Sequence, residues 1–472
     1  MNIAGGTNVR LVRYCCIALL CGFGAGGAPA HAATYDGGVG YSMSYDSNIT
    51  RSTVPTADVT EQLFGGFAIE ERSPELAARA LVQVERRRFV RHTYEDDNGF
   101  FLDGSAVWTI SPRFFTWAFD DLFRELPINL TLPGTPANWA KTNSFSTGPE
   151  FTFRLGPANV PVIGARYGAF RVQQTVATSG IGNSERFTLY ARWLRLASAS
   201  TTLSLNYEAT RAKFDPPQPP AFYSDLTRED LFFRYEYLLP DNRSRHTLDV
   251  GTMRALQYGG TGLNVGQDLS GRVVRYAGLW SPTPESAFGV TLSDQISDTY
   301  SDMIRSVTGV TITGMPMLQA DAAVLPYTAA TVTTDDLYHS RGGELTYVNR
   351  GARLGYSLAG YVRRVDFQTV DTQDYQEKGG RLTLSWFFSA EAQAYAFTRY
   401  LKRNFPNLDE TDADRDKGLG ISYRMGRSLT LTVEVGEVER QSNVPLTAFV
   451  DRRAMLLLGY STGPVYSPRS RR

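Results

Sequence analysis

The chain has 472 residues, of which 12% are aromatic and 20% charged, and its 48 basic residues balance 48 acidic ones. A formal net charge of zero argues against a protein that binds nucleic acid through bulk charge. All three cysteines lie within the first 21 residues, so the rest of the chain offers neither a disulfide framework nor a cysteine-ligated metal site.

The N-terminus has the pattern of a secretory signal peptide. Arg10 and Arg13 precede an apolar run, and small residues then lead to Ala30-His31-Ala32, a cleavage site of the A-x-A type. We therefore predict a leader over residues 1–32 and a mature chain that starts at Ala33. The mature chain has two more acidic than basic residues, because the leader carries two arginines and no acid. No later apolar run approaches the roughly 18 residues of a transmembrane helix.

Apolar and polar residues alternate with period two in many segments of the mature chain. In residues 186–211, for example, Phe187 and Trp193 share one parity, whereas Arg186 and Arg192 share the other. Each half of this segment is about ten residues long, the length that a tilted strand needs to cross a bilayer. The pattern predicts a hairpin with one face toward lipid and the other toward water.

Short and long connections alternate between these segments. Nine connections are short and consist of turn-forming residues. Longer connections are predicted at residues 125–140, 215–224, 300–336 and 405–416. This asymmetry is typical of outer-membrane barrels, which have short periplasmic turns and long external loops.

The count of segments predicts an all-β fold, a transmembrane antiparallel β-barrel of about 20 strands, between 18 and 22. The first strand is predicted at residues 35–49 and the last at 452–460. The barrel would then occupy residues 33–461, with a C-terminal tail at 462–472. A soluble all-β sandwich or solenoid is the alternative, because the same apolar faces could pack in a dry core. Residues 307–334 could form either a folded loop or one more hairpin.

Arginine greatly outnumbers lysine among the cations, and only five of the 48 are lysines. The planar guanidinium pairs well with carboxylate and phosphate groups, although a GC-rich genome would produce the same bias. Charged residues in such a lumen would form either a self-neutralising ion-pair network or a weak, multi-site track for an anionic solute. Strand parity predicts that the lumen is lined by Arg79, Arg87, Arg166, Arg186, Arg192, Arg234, Arg353, Arg363, Arg381, Glu85, Glu208, Glu236 and Glu434.

The sequence predicts no catalytic site, no metal site and no cofactor. Three histidines follow the leader, and none of His92, His246 and His339 lies in a recognisable Ser/His/acid or metal-ligand spacing. We expect His92 and His339 near the outer rim and solvated.

An acidic segment at residues 409–418 resembles a calcium loop in its spacing only. Asp412, Asp414 and Asp416 alternate, but Lys417 occupies the position of the conserved glycine and no glutamate follows. We expect solvated loop acids there, and the alternative is a divalent bridge to lipopolysaccharide phosphates.

The first predicted strand ends in Tyr45-Asp46-Ser47-Asn48-Ile49, after Val39-Gly40-Tyr41. This segment resembles the Y-D-(D/S)-N-I signature at the start of barrels of the beta-barrel porin 2 group, many of which are associated with exopolysaccharide systems. The resemblance implies a bacterial outer-membrane barrel that exports exopolysaccharide. It also implies contacts with outer-membrane lipid and lipopolysaccharide, with polysaccharide, and with periplasmic or inner-membrane export machinery.

Three other functions remain open at this stage. The barrel could be a general diffusion porin for small solutes, which would conduct ions without preferring a polymer. It could be a barrel hydrolase of lipid or peptide, with a base such as His92 or His339. It could also be an adhesion barrel in which the loop at residues 300–336 binds a surface.

Overall fold

The computed structural model describes residues 33–173, 182–215, 225–239, 243–258, 267–308, 336–368 and 371–463. The predicted leader, most of the predicted tail and most of the loop at residues 300–336 lie outside these residues. No helix in the described part of the chain is long and apolar enough to cross a membrane.

The described residues form twenty strands and one α-helix. The α-helix, α1 (Thr299–Thr308), follows the thirteenth strand. The strands are β1 (Thr34–Asp46), β2 (Asp58–Arg72), β3 (Leu76–Phe89), β4 (Asp97–Ser111), β5 (Phe115–Pro127), β6 (Trp139–Thr152), β7 (Asn159–Val172), β8 (Asn183–Leu196), β9 (Thr201–Asp215), β10 (Asp225–Leu238), β11 (Ser244–Tyr258), β12 (Gln267–Thr283), β13 (Ser286–Ser297), β14 (Tyr338–Arg350), β15 (Leu354–Phe367), β16 (Tyr375–Phe387), β17 (Ala392–Phe405), β18 (Glu410–Met425), β19 (Leu429–Ser442) and β20 (Phe449–Ser461).

The strands form one closed antiparallel barrel. Each strand pairs with its neighbours in the sequence, and β1 pairs with β20 from Gly38↔Ser461 to Asp46↔Arg453. Closure leaves none of the twenty described strands with an unpaired edge. The prediction of an all-β barrel of about 20 strands is confirmed, and the predicted first and last strands are found within a few residues of their bounds.

The two ends of the barrel differ in their connections. The termini and nine short turns lie at one end, the turn end, and the longer connections lie at the other, the loop end. The prediction of a long loop at residues 405–416 is wrong, because only residues 406–409 join β17 to β18. Asp412 and Asp416 instead belong to β18, since their period-two spacing matches a strand whose inward face meets arginines from neighbouring strands.

The outer face of the wall is apolar over the part nearer the turn end. On β18, Leu419 and Ile421 are 61% and 60% exposed, whereas Gly420 between them is buried on the inner face. Aromatic rings collect at the turn end of this face, where Phe288 stacks against Trp280 and Tyr347 with ring centroids 5.4 and 4.3 Å apart. The outer face therefore has the composition of a lipid-facing band with an aromatic girdle.

Towards the loop end, the same outward positions become charged. Lys417 and Arg452 both pair with Glu437, at 2.9 and 3.1 Å, on the same face of the wall as Leu419. These pairs are exposed, so they stabilise the fold little. Their placement indicates that the strands extend into solvent at the loop end, beyond the apolar band.

A charge placed in the apolar band should weaken the barrel in a lipid environment. We expect Leu456→Arg on the outer face of β20 to lower the free energy of unfolding by about 2–4 kcal/mol. Urea unfolding in lipid vesicles measures this loss. Leu446→Arg is the matched control, because Leu446 is 79% exposed in the loop between β19 and β20. Equal stability of the two variants would contradict a lipid-facing band.

Candidate functional site

The inner face of the wall carries most of the charged residues that the sequence predicts to line the lumen. Arg353 is different, because it is exposed in the turn between β14 and β15. The other twelve share the parity of the buried residues on their strands. They are Arg79, Glu85 and Arg87 on β3, Arg166 on β7, Arg186 and Arg192 on β8, Glu208 on β9, Arg234 and Glu236 on β10, Arg363 on β15, Arg381 on β16 and Glu434 on β19.

Many of these inward charges form ion pairs within the wall. Arg234 makes a bidentate contact with Asp249 on β11, at 2.6 and 2.9 Å, and Asp249 also pairs with Arg275. Glu377 on β16 lies between Arg363 and Arg403, at 3.9 and 3.1 Å. The geometry is that of an ion-pair network in which neighbouring strands neutralise each other's charges.

Several acids of this network were missed by the sequence analysis. Asp249 and Glu377 are almost completely buried, as is Asp298 just beyond β13. Strand parity could have identified Asp249 and Glu377, since each lies at the same parity as other buried residues of its strand. No periodicity could identify Asp298, because it lies in a connection.

The acids of β18 are part of the same network. Asp414 receives two hydrogen bonds from Arg440, at 2.7 and 3.0 Å, and Arg440 lies 3.4 Å from Asp412. Asp416 pairs with Arg453 at 2.8 Å. These acids face the inside of the barrel, so they do not face the lipid that a divalent bridge to lipopolysaccharide would require. Within the described ranges, no group of three acidic, His or Cys side chains is arranged to hold a metal ion.

The connection between β5 and β6, residues 128–138, folds into the barrel, and we call it the crossing loop. Asn138 is buried and stabilises its bend, because its side-chain amide donates to the carbonyl of Asn129 at 2.7 Å and its side-chain oxygen accepts from the Asn129 amide at 3.0 Å. Leu130 packs in a cluster with Tyr338, Val365, Phe367, Tyr375 and Phe405, which belong to β14–β17. The loop therefore reaches from one side of the barrel to the opposite wall.

Three arginines hold the main chain of the crossing loop. Arg403 donates to the Leu130 carbonyl at 3.3 Å, Arg440 to the Thr131 carbonyl at 3.2 Å and Arg51 to the Gly134 carbonyl at 2.7 Å. These arginines come from β17, from β19 and from the loop between β1 and β2. Each guanidinium provides a hydrogen-bond donor for a main-chain carbonyl, so the three arginines hold the crossing loop across the mouth.

The helix α1 is a second infolded element at the loop end. Met303 is buried with Leu122, Ala140, Phe170 and Val172 from β5–β7. Immediately before α1, Asp298 pairs with Arg186 at 2.9 Å, and the guanidinium of Arg186 lies 4.6 Å from the ring centre of Tyr300. The start of the predicted loop at residues 300–336 therefore lies inside the barrel.

Asp298 is held as a buried anion. Burial opposes its ionisation, but Arg186 and hydrogen bonds from Ser301 outweigh this effect and hold the pKa of Asp298 at about 2. The hydroxyl of Ser301 donates at 2.7 Å and its amide at 3.1 Å. The pair therefore remains ionised over the whole physiological pH range and attaches α1 to β8.

The Tyr45–Ile49 motif has a structural role at the seam of the barrel. Asn48 is 1% exposed, and its amide donates to Asp451 on β20 at 2.9 Å. Its side chain also donates to the Val450 carbonyl, at 3.2 Å, and to the Ser52 carbonyl, at 2.7 Å. The motif thus ties the loop after β1 to the last strand and positions Arg51 beneath the crossing loop.

The histidines lie in three separate places. His92 follows β3 with a φ of 57°, and His246 hydrogen bonds to Ser244 and Tyr276 at 2.7 and 2.8 Å. His339 lies 2.6 Å from Asp294 at outward positions near the loop end. The described hydrogen bonds of these histidines do not join a serine, a histidine and an acid.

No protein-family model matches this chain, and a search of curated proteins finds no match. Solved structures with a similar outline include the FrpB iron transporter from Neisseria meningitidis (F5-1 variant), at 10% identity and a TM-score of 0.45, covering 90% of this chain and 82% of that one. The siderophore receptor PirA from Pseudomonas aeruginosa is 12% identical, with a TM-score of 0.42, and the alignment covers 92% of this chain and 81% of PirA. At these TM-scores the likenesses assign no function to the chain.

Breaking the buried pair should release α1 without unfolding the barrel. We expect Arg186→Met to leave Asp298 buried without its closest ion-pair partner, which costs roughly 3 kcal/mol. Hydrogen exchange of residues 299–308 should then accelerate about a hundredfold. Arg192→Met is the matched control on the same face of β8, since its closest carboxylate contact, Glu150, is 3.8 Å away. Similar exchange in both variants would contradict the role of Arg186.

Acid should release α1 by protonating Asp298. The folded-state pKa of about 2 lies below the ordinary value near 4. The stabilisation is therefore complete above about pH 4, and it is lost as the pH falls towards 2. Hydrogen exchange, corrected for its intrinsic pH dependence, should show the opening of α1 in this window. In Asp298→Asn the corrected exchange should not change over the same window, and a transition that persists in this variant would point to another group.

Proposed function

We propose that the protein is an outer-membrane pore that passes hydroxyl-rich solutes, with secreted polysaccharide as the passenger. The observation that carries this proposal is the contrast between the two faces of one closed wall. The outer face is apolar with aromatic residues at the turn end, and the inner face is polar and ion-paired. Lipid on one side and water on the other satisfy both faces.

The orientation follows from the two ends of the barrel. Outer-membrane barrels place short turns in the periplasm and longer loops outside. The predicted leader would deliver the chain to that compartment, with both termini at the turn end. The crossing loop and α1 would then lie near the external mouth, where a secreted chain leaves the pore.

The chemistry of the inner wall favours a neutral, hydroxyl-rich passenger over a free anion. Arginines that would attract an anion, such as Arg234 and Arg440, are already paired with carboxylates. Small, partly exposed polar residues such as Ser44, Thr60 and Thr202 lie among them on the inner face. Such a wall can exchange hydrogen bonds with sugar hydroxyls without retaining the polymer. The resemblance of the Tyr45–Ile49 motif to the beta-barrel porin 2 group points to the same passenger.

A general diffusion porin is the second candidate, and the two infolded elements favour it. A mouth narrowed by the crossing loop and α1 would admit small solutes and exclude large ones. A polymer could pass only if the crossing loop moved. The hydrolase alternative has less support, because the described partners of the histidines do not form a catalytic arrangement.

Removal of the crossing loop should widen the pore. Pro127 and Trp139 are paired in register, so a Gly-Gly turn can replace residues 129–137 without changing the ends of β5 and β6. We expect single-channel conductance in planar bilayers to rise several-fold, because the loop crosses the mouth. Replacement of residues 444–447 by the same turn is the control, since Leu446 points into solvent. Unchanged conductance after removal of residues 129–137 would exclude the crossing loop as the constriction.

Deletion of the gene separates polysaccharide export from general diffusion. If the barrel exports polysaccharide, surface polymer should be lost and polymer should accumulate in the periplasm, and the intact gene should restore export. Unchanged surface polymer together with slower uptake of small sugars would instead support the porin. His92→Ala and His339→Ala should complement the deletion fully, and a failure of either variant that folds normally would favour an enzyme.

A further inference from the structure

A cavity of about 130 Å³ lies below the crossing loop, at the seam where β1 meets β20. Its walls come from β1–β3, β19, β20 and the loop after β1. Gly134 and Pro136 of the crossing loop contribute to the side towards the mouth. The cavity has room for several water-sized groups.

The charged groups around this cavity are balanced. Three carboxylates would repel an anion, and three guanidinium groups would repel a cation. A neutral polyol can donate hydrogen bonds to the carboxylates and accept them from the guanidinium groups. The six groups are Arg51, Arg87, Arg453, Asp46, Glu434 and Asp451.

One of these carboxylates has an unused acceptor. Asp451 is completely buried, and its Oδ1 accepts from the amide of Asn48 at 2.9 Å and from the hydroxyl of Ser47 at 3.4 Å. Its Oδ2 is also buried but has no hydrogen-bond partner in the described structure. A buried carboxylate oxygen without a donor is unfavourable, so a ligand hydroxyl at this position would be stabilised.

The remaining lining residues supply the other features of a sugar site. Ser42, Ser44 and Thr60 provide hydroxyl groups, and Phe89 and Trp139 provide aromatic surface. Aromatic rings are apolar on their faces and can cover the C–H groups of a sugar ring. The combination suits a ligand that has both hydroxyl groups and an apolar ring face.

We propose that this cavity is a binding subsite for one neutral sugar unit of the passenger. Asp451 accepts a hydroxyl through Oδ2, and the guanidinium groups of Arg51 and Arg453 donate to ring or hydroxyl oxygens. This inference rests on the proposed function, since it assigns a saccharide ligand to the pore. The subsite lies beside the crossing loop, so an occupying sugar contacts the element that narrows the mouth.

Saturation-transfer NMR with maltohexaose and the full barrel in detergent tests the subsite. We expect the wild-type protein to bind the oligosaccharide. Asp451→Asn should weaken binding by about tenfold or more, because it removes a charge-assisted hydrogen bond. Thr60→Phe should weaken it as strongly by filling the cavity from β2. This second variant leaves the contacts between Asp451 and Asn48 in place, so it remains informative if Asp451→Asn disturbs the seam.

Glu208→Gln is the matched control, because it neutralises an inward carboxylate on β9, far around the barrel from β20. Binding that is equal in all four proteins, or absent from the wild type, would overturn the subsite. Binding of tetragalacturonate in place of maltohexaose would overturn the assignment of a neutral ligand. Conductance in planar bilayers is measured in parallel, so a protein that binds sugar but forms no pore would refute the proposed pore and leave the subsite standing.

Discussion

The pairing of β1 with β20 is the constraint on which the rest of this molecule depends. It turns a ribbon of twenty strands into a wall with an inside and an outside, and it removes the edges that would otherwise pair with other chains. Register matters here because a slip of one residue would turn every outward side chain of a strand inward. Asn48 and Asp451 lie just beyond the last pair of this seam, and their hydrogen bond resists such a slip.

Closure also determines how charge can be used inside the barrel. Side chains on the inner face are crowded and partly buried, so an unpaired charge there would be costly. Arg234 with Asp249 and Arg440 with Asp414 show the result, in which each guanidinium meets a carboxylate on a neighbouring strand. Such pairing neutralises these charges within the wall. In the pore proposed above, discrimination between solutes therefore depends on hydrogen bonding, shape and the width of the mouth.

The mouth owes its shape to residues that are distant in the sequence. Arg403 is 273 positions from Leu130, and Arg440 is 309 positions from Thr131, yet these arginines hold the crossing loop. The loop carries its own polar main chain into the barrel, and the arginines donate hydrogen bonds to its carbonyls. Arg403 and Arg440 thus pair with acids of the wall and also hold the crossing loop.

The sequence by itself determined the architecture of the barrel, because strand parity is a local property. Phe187 and Arg186 differ by one position, and that difference is enough to assign them to opposite faces. Parity does not predict the position of a residue outside a strand, such as Arg353 in its turn. Composition gave the wrong prediction for Asp412, because an acidic segment suggested a loop where the structure has a strand.

Only the tertiary structure decided which charges meet and which loops fold inward. Pairing between Arg186 and Asp298, and packing of Leu130 against β14–β17, join segments more than a hundred residues apart. Such contacts leave no periodic trace in the sequence, since they arise only when closure brings distant strands around a common lumen.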